Sequence, residues 1–326
     1  MPDIALLVGI NRYKDKNNLR GCENDVDAAG VFLEHKCDFA WTDIMVLKSE
    51  EATSDSIRAA LQNAVKQAKK KAAAKKNKVR FVFWFSGHGA EGQVDGENCD
   101  LICPHDYDPK IRSSYLTSRD LAKIFADLPP EADSLWVSDS CHSGDLETDL
   151  YRTGVPRMRK PHAGLDPRGK KHRLRDAASQ EGIAFIAGCH GNQTSADAFV
   201  GGEYRGVLSA YLLRQLSLPG GFTATLRSVV WETHAAITQA GFTQEPLVRG
   251  SHALLNRPVL SLGDWRETEG RESNRTILVE SSSAQRQEHP PGTRQEHPPG
   301  GPSRQEHPPG ERQEHPPGER QEHPPG

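Results

Sequence analysis

The sequence predicts an α/β domain: a mostly parallel, six-stranded sheet with helices on both faces, followed by a disordered C-terminal tail. Three observations predict it. Short apolar runs alternate with longer segments whose apolar residues recur every three or four positions, the pattern of strands joined by crossover helices. The runs Val79-Arg80-Phe81-Val82-Phe83-Trp84-Phe85 and Ser134-Leu135-Trp136-Val137-Ser138 are apolar enough to be buried strands. Near the C-terminus the unit Arg-Gln-Glu-His-Pro-Pro-Gly begins at Arg286, Arg294, Arg304, Arg312 and Arg320. It holds no apolar residue with which to build a core, so it reads as a disordered or polyproline-like linker or docking tail.

The elements follow in order. Ile4 to Ile10 is a first core strand, too short to span a membrane. Asn24 to His35 is a helix with Val26, Ala29, Val31, Phe32 and Leu33 on its apolar face, and Asp43 to Lys48 is a second strand. Thr53 or Ser54 caps a long helix toward Lys76, in which Ile57, Leu61, Ala64, Val65 and Ala68 keep helical spacing. Its lysine-rich end reads as a solvated helix terminus favoured by the dipole. The strands near 79–85 and 134–138 are separated by a loop and a helix from Ser118 to Leu128. Gly182 to Ala187 is the next strand, helices near 206–217 and 222–240 follow, and Val259 to Leu262 closes the sheet as an edge strand. The domain is expected over 1–263 and the tail over 264–326.

Composition narrows the function classes. A net charge of −3 over 326 residues names no nucleic-acid or membrane partner for the whole molecule. Six scattered cysteines do not form a secreted disulfide framework, and Cys99, Cys103 and His105 lack the second cysteine pair of a zinc finger. No signal peptide is evident. A reducing cytoplasm is the expected setting, and it suits a reactive thiol.

The chemistry sits where two strands end. Ser86-Gly87-His88 closes one apolar run and Asp139-Ser140-Cys141 closes the other. Two strands ending at one sheet edge bring their residues to the crevice where open α/β sheets bind ligands. A thiol beside an imidazole is a nucleophile with its base, so Cys141 and His88 are the candidate catalytic pair.

The motifs around this pair carry a resemblance. They include Leu6-Leu7-Val8-Gly9-Ile10-Asn11-Arg12-Tyr13, Leu19-Arg20-Gly21-Cys22-Glu23-Asn24-Asp25, Phe85-Ser86-Gly87-His88-Gly89 and Asp139-Ser140-Cys141-His142-Ser143-Gly144. Downstream come Gly188-Cys189-His190-Gly191-Asn192-Gln193, Gly206-Val207-Leu208-Ser209 and Gln244-Glu245-Pro246. In this order they resemble the caspase-like cysteine peptidases, metacaspases and their bacterial relatives above all. The separation of about 50 residues between histidine and cysteine is one found in caspases. The resemblance implies a caspase-like fold and a cysteine endopeptidase, with the backbone N–H groups of Gly89 and Cys141 as oxyanion donors. It also implies that Cys22, Asp25, Ser86 and Asp139 line the primary specificity pocket. Carboxylates in a narrow pocket select a guanidinium or ammonium group, so the expected substrates are proteins with Arg or Lys before the cut.

Calcium is a candidate activator rather than a required cofactor, with Asp95, Glu97 and Asp100 as hard oxygen donors. The paired acids expected further on are replaced by Leu116-Thr117-Ser118-Arg119-Asp120. A basic insertion at about 150–180 carries Arg152, Arg157, Arg159, Lys160, Arg168, Arg173 and Arg175. It follows the nucleophile and is a candidate cleavage loop, cut by the enzyme itself or by an upstream activating protease. The enzyme is therefore expected to be latent until that loop is cut or an activator binds. The alternatives are a catalytically inactive caspase-fold scaffold and a nucleic-acid-binding protein using the basic loop.

Overall fold

The structure is a computed structural model that describes residues 2–75, 78–140, 155–157, 171–172, 174, 182–188, 195–221, 223–260 and 276–279. The first half runs β1 (Asp3–Gly9), α1 (Cys22–Cys37), β2 (Ile44–Lys48), α2 (Ser54–Lys75) and β3 (Val79–Ser86). A hairpin of β4 (Gly89–Val94) and β5 (Glu97–Ile102) then leads through β6 (Leu116–Thr117) and α3 (Ser118–Phe125) to β7 (Ala132–Asp139). The second half holds β8 (Val155–Pro156), β9 (Lys171–His172), β10 (Ile183–Ala187) and the hairpin β11 (Ala196–Val200) and β12 (Glu203–Gly206). It continues with α4 (Val207–Ser217), α5 (Leu226–Gln239), β13 (Leu247–Ser251) and β14 (Thr276–Val279).

The main sheet has the order β14-β13-β10-β7-β3-β1-β2. Strands β2, β1, β3, β7 and β10 are parallel, and β13 and β14 join antiparallel at one edge. Period-2 alternation divides each central strand between two cores. Ile4, Leu6, Phe81, Phe83, Phe85, Trp136 and Phe185 pack against α2 and α3 through Ile57, Leu61, Leu121 and Phe125. Ala5, Leu7, Val82, Trp84, Leu135, Val137 and Ile186 face α1, α4 and α5 through Val26, Phe32, Leu208, Leu212 and Val229. Burial on both faces is why these runs carry so few polar residues. Among the exceptions, Arg80 lies against Asp3 in a buried two-bond ion pair of 2.6 and 2.7 Å.

Two expectations change. The sixth strand of the sheet is Leu247–Ser251, antiparallel to β10, rather than Val259 to Leu262, of which Ser261 and Leu262 lie outside the described residues. Val259 and Leu260 are buried in the core with α5 rather than in the sheet, and Leu260 has a left-handed φ of 50°. Their apolarity reflects burial, whereas Arg249 and Gly250 break the apolar pattern of the real strand. A seventh strand, Thr276–Val279, lies beyond the boundary set at residue 263 and pairs with β13. The compact unit runs to Ser282. Among the described residues no helix is long and apolar enough to cross a membrane.

The chain steps from β1 outward to β2, then returns past β1 to β3. That reversal puts a topological switch point at the carboxyl ends of β1 and β3, where such sheets form their ligand crevice. Gly9 pairs with Ser86 there, and Ser86 with Asp139.

Candidate active site

Three strand ends and one helix start build the site. Beyond β1, the Asn11 Oδ1 accepts from the N–H groups of Cys22 and Glu23 at 2.8 and 3.3 Å, satisfying the first amides of α1. With that done, Asp25 has no capping work. It is fully buried and turns its carboxylate into the crevice, where Oδ2 accepts from Ser86 Oγ at 2.6 Å and Oδ1 from Gly206 N at 2.9 Å. Asp139, at the end of β7, is also fully buried; its Oδ1 accepts from Ser195 Oγ and its Oδ2 from Ser209 N at 2.9 Å. The structure thus brings together Cys22, Asp25, Ser86 and Asp139, the four residues expected to line one pocket.

Two residues complete it. Asp197 on β11 is 1% exposed; its Oδ1 accepts from Gly21 N at 2.9 Å and its Oδ2 from Arg20 N at 2.8 Å. Sequence reading missed it. Its signal was a charged residue inside the short run Ala196-Asp197-Ala198-Phe199-Val200. Gly206 forms a wall, since a Cβ there would fall 2.1 Å from Asp139 Oδ2.

The pocket holds Arg157 of the same chain, with a side chain 0% exposed. Its Nη2 donates to Asp25 Oδ2 at 2.8 Å and to Asp197 Oδ1 at 2.9 Å. Its Nη1 donates to Ser86 Oγ at 2.5 Å and lies 3.4 Å from Asp139 Oδ2. Three carboxylates therefore surround one guanidinium. Burial works against its charge, but the carboxylates of Asp139, Asp25 and Asp197 outweigh burial and hold its pKa well above the ordinary value. Burial pushes the Asp139 carboxyl up against the pull of Arg157, and Asp25 adds to the rise. Burial also pushes the Cys22 thiol well up, so Cys22 is a neutral wall of the pocket and not a nucleophile.

The backbone of Arg157 is held too. Its N–H donates to Ser195 O at 3.0 Å, and its carbonyl accepts from Gly89 N at 3.0 Å. Upstream, Pro156 and Val155 pair antiparallel with Ala196 and Asp197. Gln244 ties β11 to the end of β10, donating to Gly188 O at 2.9 Å and accepting from Ala196 N at 3.1 Å.

His88 follows β3 and is 1% exposed. Its N–H donates to Tyr13 Oη at 2.8 Å, and its ring lies 4.8 Å from the Tyr13 ring. Its Nε2 is 3.1 Å from Asn17 O. A carbonyl only accepts, so Nε2 carries the proton and Nδ1 keeps the lone pair in the neutral ring. Tyr13 and Asn17 thereby orient the imidazole. Cys141 lies outside the described residues, as do Arg152, Arg159, Lys160, Arg168, Arg173 and Arg175.

The candidate calcium donors are not brought together. Asp95 sits with Gly96 in the tight turn joining β4 to β5, both with left-handed φ. It and Glu97 face Arg119, at 3.9 and 2.8 Å. Asp100, three residues on, falls on the opposite face of β5 and accepts from Leu174 N at 2.8 Å. Among the described residues no three acidic, His or Cys side chains group to hold a metal ion.

Comparison with known proteins agrees with this architecture. The caspase domain matches residues 2–254. Metacaspase-1 of Scheffersomyces stipitis is 28% identical over 298 residues, spanning 76% of this chain and 70% of that protein. Metacaspase-1B of Aspergillus terreus is 28% identical over 298 residues, spanning 77% and 75%. The crystal structure of a protein from Geobacter sulfurreducens has the same fold, with a TM-score of 0.57 at 20% identity, covering 81% of this chain and 100% of its own. With the caspase domain matched over residues 2–254, most of its length, this chain belongs to the caspase domain family and is similar to its metacaspases.

Proposed function

We propose that this protein is a cysteine endopeptidase of metacaspase type that cuts after Arg or Lys through a Cys141–His88 dyad. We further propose that it stays latent until its basic loop is cut or an activator binds. One observation carries the reading. Arg157 is bound as the residue before a scissile bond would be: guanidinium among Asp25, Asp139 and Asp197, N–H on Ser195 O, and carbonyl on Gly89 N.

The chemistry follows from those positions. His88, its Nε2–H on Asn17 O, takes the thiol proton of Cys141 through Nδ1. The thiolate attacks the carbonyl carbon, and the Gly89 N–H stabilises the developing oxyanion. The C–N bond breaks as the imidazolium returns its proton to the leaving amine. Water activated by the same imidazole then hydrolyses the thioester and restores the thiol. A planar guanidinium meets two carboxylates and a hydroxyl at once, which a single ammonium cannot do, so Arg ranks above Lys.

The test is hydrolysis by the purified protein, with and without calcium, of fluorogenic peptides ending in Arg, Lys or Asp. The expected order is Arg, then Lys, with Asp peptides untouched. Preference for Asp would remove the reading.

A further inference from the structure

Resting on the reading of the acidic pocket as the primary specificity site, we propose that Phe199 and Tyr204 form a second, apolar subsite. It takes the side chain of the fifth substrate residue counted back from the cut. The protein thus recognises an extended strand with an apolar residue at its far end, beyond the basic side chain before the cut.

The case starts from an aromatic residue that the core does not use. Alternation along β11 turns Ala196, Ala198 and Val200 into a small core with Val207, Tyr211 and Ile237 of α4 and α5. Asp197 and Phe199 therefore share the opposite face, the one on which Asp197 meets the Arg157 guanidinium. Phe199 is 64% exposed there. Tyr204 lies directly opposite it on β12, and the two rings meet edge to face, 5.4 Å apart at 73°. Arg20 braces the pair: Nη1 donates to Tyr204 Oη at 2.8 Å, and the guanidinium sits 4.8 Å from the ring centre. The N–H groups of Arg20 and Gly21 hold Asp197, so platform and pocket wall are one assembly.

Backbone register decides which substrate residue reaches the platform. Ser195 turns its carbonyl to Arg157 N, and in an antiparallel pair alternate residues face the same way. Asp197 and Phe199 therefore direct their N–H and C=O groups to that edge. The β11–β12 hairpin agrees: its turn, Gly201-Gly202, has left-handed φ at both positions and closes on Val200 and Glu203. That closure turns Val200 and Ala198 toward β12.

With Arg157 as the residue before the cut, Pro156 is second, opposite Ala196, and Val155 is third, opposite Asp197. Two more residues of a substrate strand bring the fifth opposite Phe199, on the same face, with Cβ atoms about 5 Å apart. Among the described residues the partner strand begins at Val155, and β11 runs on to Val200. An extended peptide adds to such an edge through its main chain, while pockets for alternate side chains give specificity. Asp197 serves the first residue and the aromatic pair serves the fifth.

The processed protein, Phe199→Ala and Phe199→Tyr are assayed on fluorogenic acetyl-Phe-Gly-Val-Pro-Arg, acetyl-Ser-Gly-Val-Pro-Arg and acetyl-Asp-Gly-Val-Pro-Arg peptides. The readout is the ratio of kcat/KM values within each protein, which cancels any difference in the folded fraction. Wild type should favour the Phe peptide over the Ser peptide about tenfold. Phe199→Ala should bring that ratio near one, and Phe199→Tyr should keep it. Equal turnover of the Phe and Ser peptides by wild type, or an unchanged ratio in Phe199→Ala, would overturn the proposal and leave the basic-pocket reading standing. Preference for the Asp peptide would do the same, assigning the surface to Arg20. Failure to hydrolyse any of these Arg peptides would overturn both.

Discussion

Asp139→Asn isolates charge from shape in the pocket. Asn is isosteric, and both local partners can be kept: its carbonyl oxygen accepts from Ser209 N, and its amide donates to Ser195 Oγ, a hydroxyl that can reverse its role. What disappears is a negative charge 3.4 Å from the bound guanidinium. At an effective dielectric of about 20, that separation corresponds to ~5 kcal/mol of attraction. Relief of repulsion with Asp25 offsets part of it, and breaking a buried pair of this kind costs about 3–5 kcal/mol. At about 1.4 kcal/mol per tenfold, kcat/KM on Arg peptides should fall on the order of a hundredfold or more. The assay is kcat/KM of the processed protein on matched Arg, Lys and Asp peptides, with thermal unfolding measured in parallel. No cleavage after Asp should appear, because removing a carboxylate does not supply the paired guanidinium a carboxylate substrate needs. A folded variant that keeps Arg turnover within about threefold would refute the electrostatic reasoning.

Cys141→Ala and His88→Ala should each abolish peptide cleavage with the fold intact, since nucleophile and base act as one unit; near wild-type hydrolysis by either would break the dyad assignment. Asp197→Asn should lower kcat/KM for Arg peptides about tenfold or more, the worth of one charge-assisted bond, and lower Lys peptides less; equal losses on both would assign Asp197 to structure alone. The raised pKa of Asp139 also has a pH signature: above the ordinary carboxyl pKa the unfolded chain has released a proton that the fold still holds, so stability falls as pH rises through that window. Asp139→Asn should lose that segment of the pH–stability curve, read by denaturant unfolding at several pH values. Truncation after Ser282 should leave small-peptide turnover unchanged, whereas truncation after residue 263 also removes Thr276–Val279, uncovers the edge of β13 and should cause concentration-dependent self-association in light scattering.

How legible each part was depends on how local its signal is. The ends of β3 and β7 were readable because Ser86-Gly87-His88 and Asp139-Ser140-Cys141 interrupt long apolar runs, and an apolar run that stops on polar residues marks a sheet edge. Asp25 was readable through its motif, though only the structure shows Asn11 taking over the helix-capping role that would otherwise explain it. Asp197 offered only a charge inside a short strand-like run: its partners lie far away in sequence, Arg157 across 40 positions and Gly21 across 176, and nothing near it records either contact. The Asp95-Gly96 pair is a strong hairpin signal, yet the surrounding acids draw attention to metal binding instead. The strand Leu247–Ser251 escaped because Arg249 and Gly250 break its apolar pattern, whereas Val259 and Leu260 look like a strand while filling a turn in the core. Arg157 was one basic residue among several in the insertion; its guanidinium among three carboxylates and its backbone pairing with Ser195 and Gly89 distinguish it.

Covalent labelling joins the two halves of the account, nucleophile and acidic pocket, in a single measurement. An acetyl-Val-Pro-Arg chloromethyl ketone is incubated with the Arg157→Ala protein beside its Val-Pro-Asp analogue, and the adduct is located by peptide mass mapping. The predicted result is one adduct on Cys141 with the Arg reagent and none with the Asp reagent. An adduct on another cysteine, or labelling of Cys141 by the Asp reagent at an equal rate, would contradict the account.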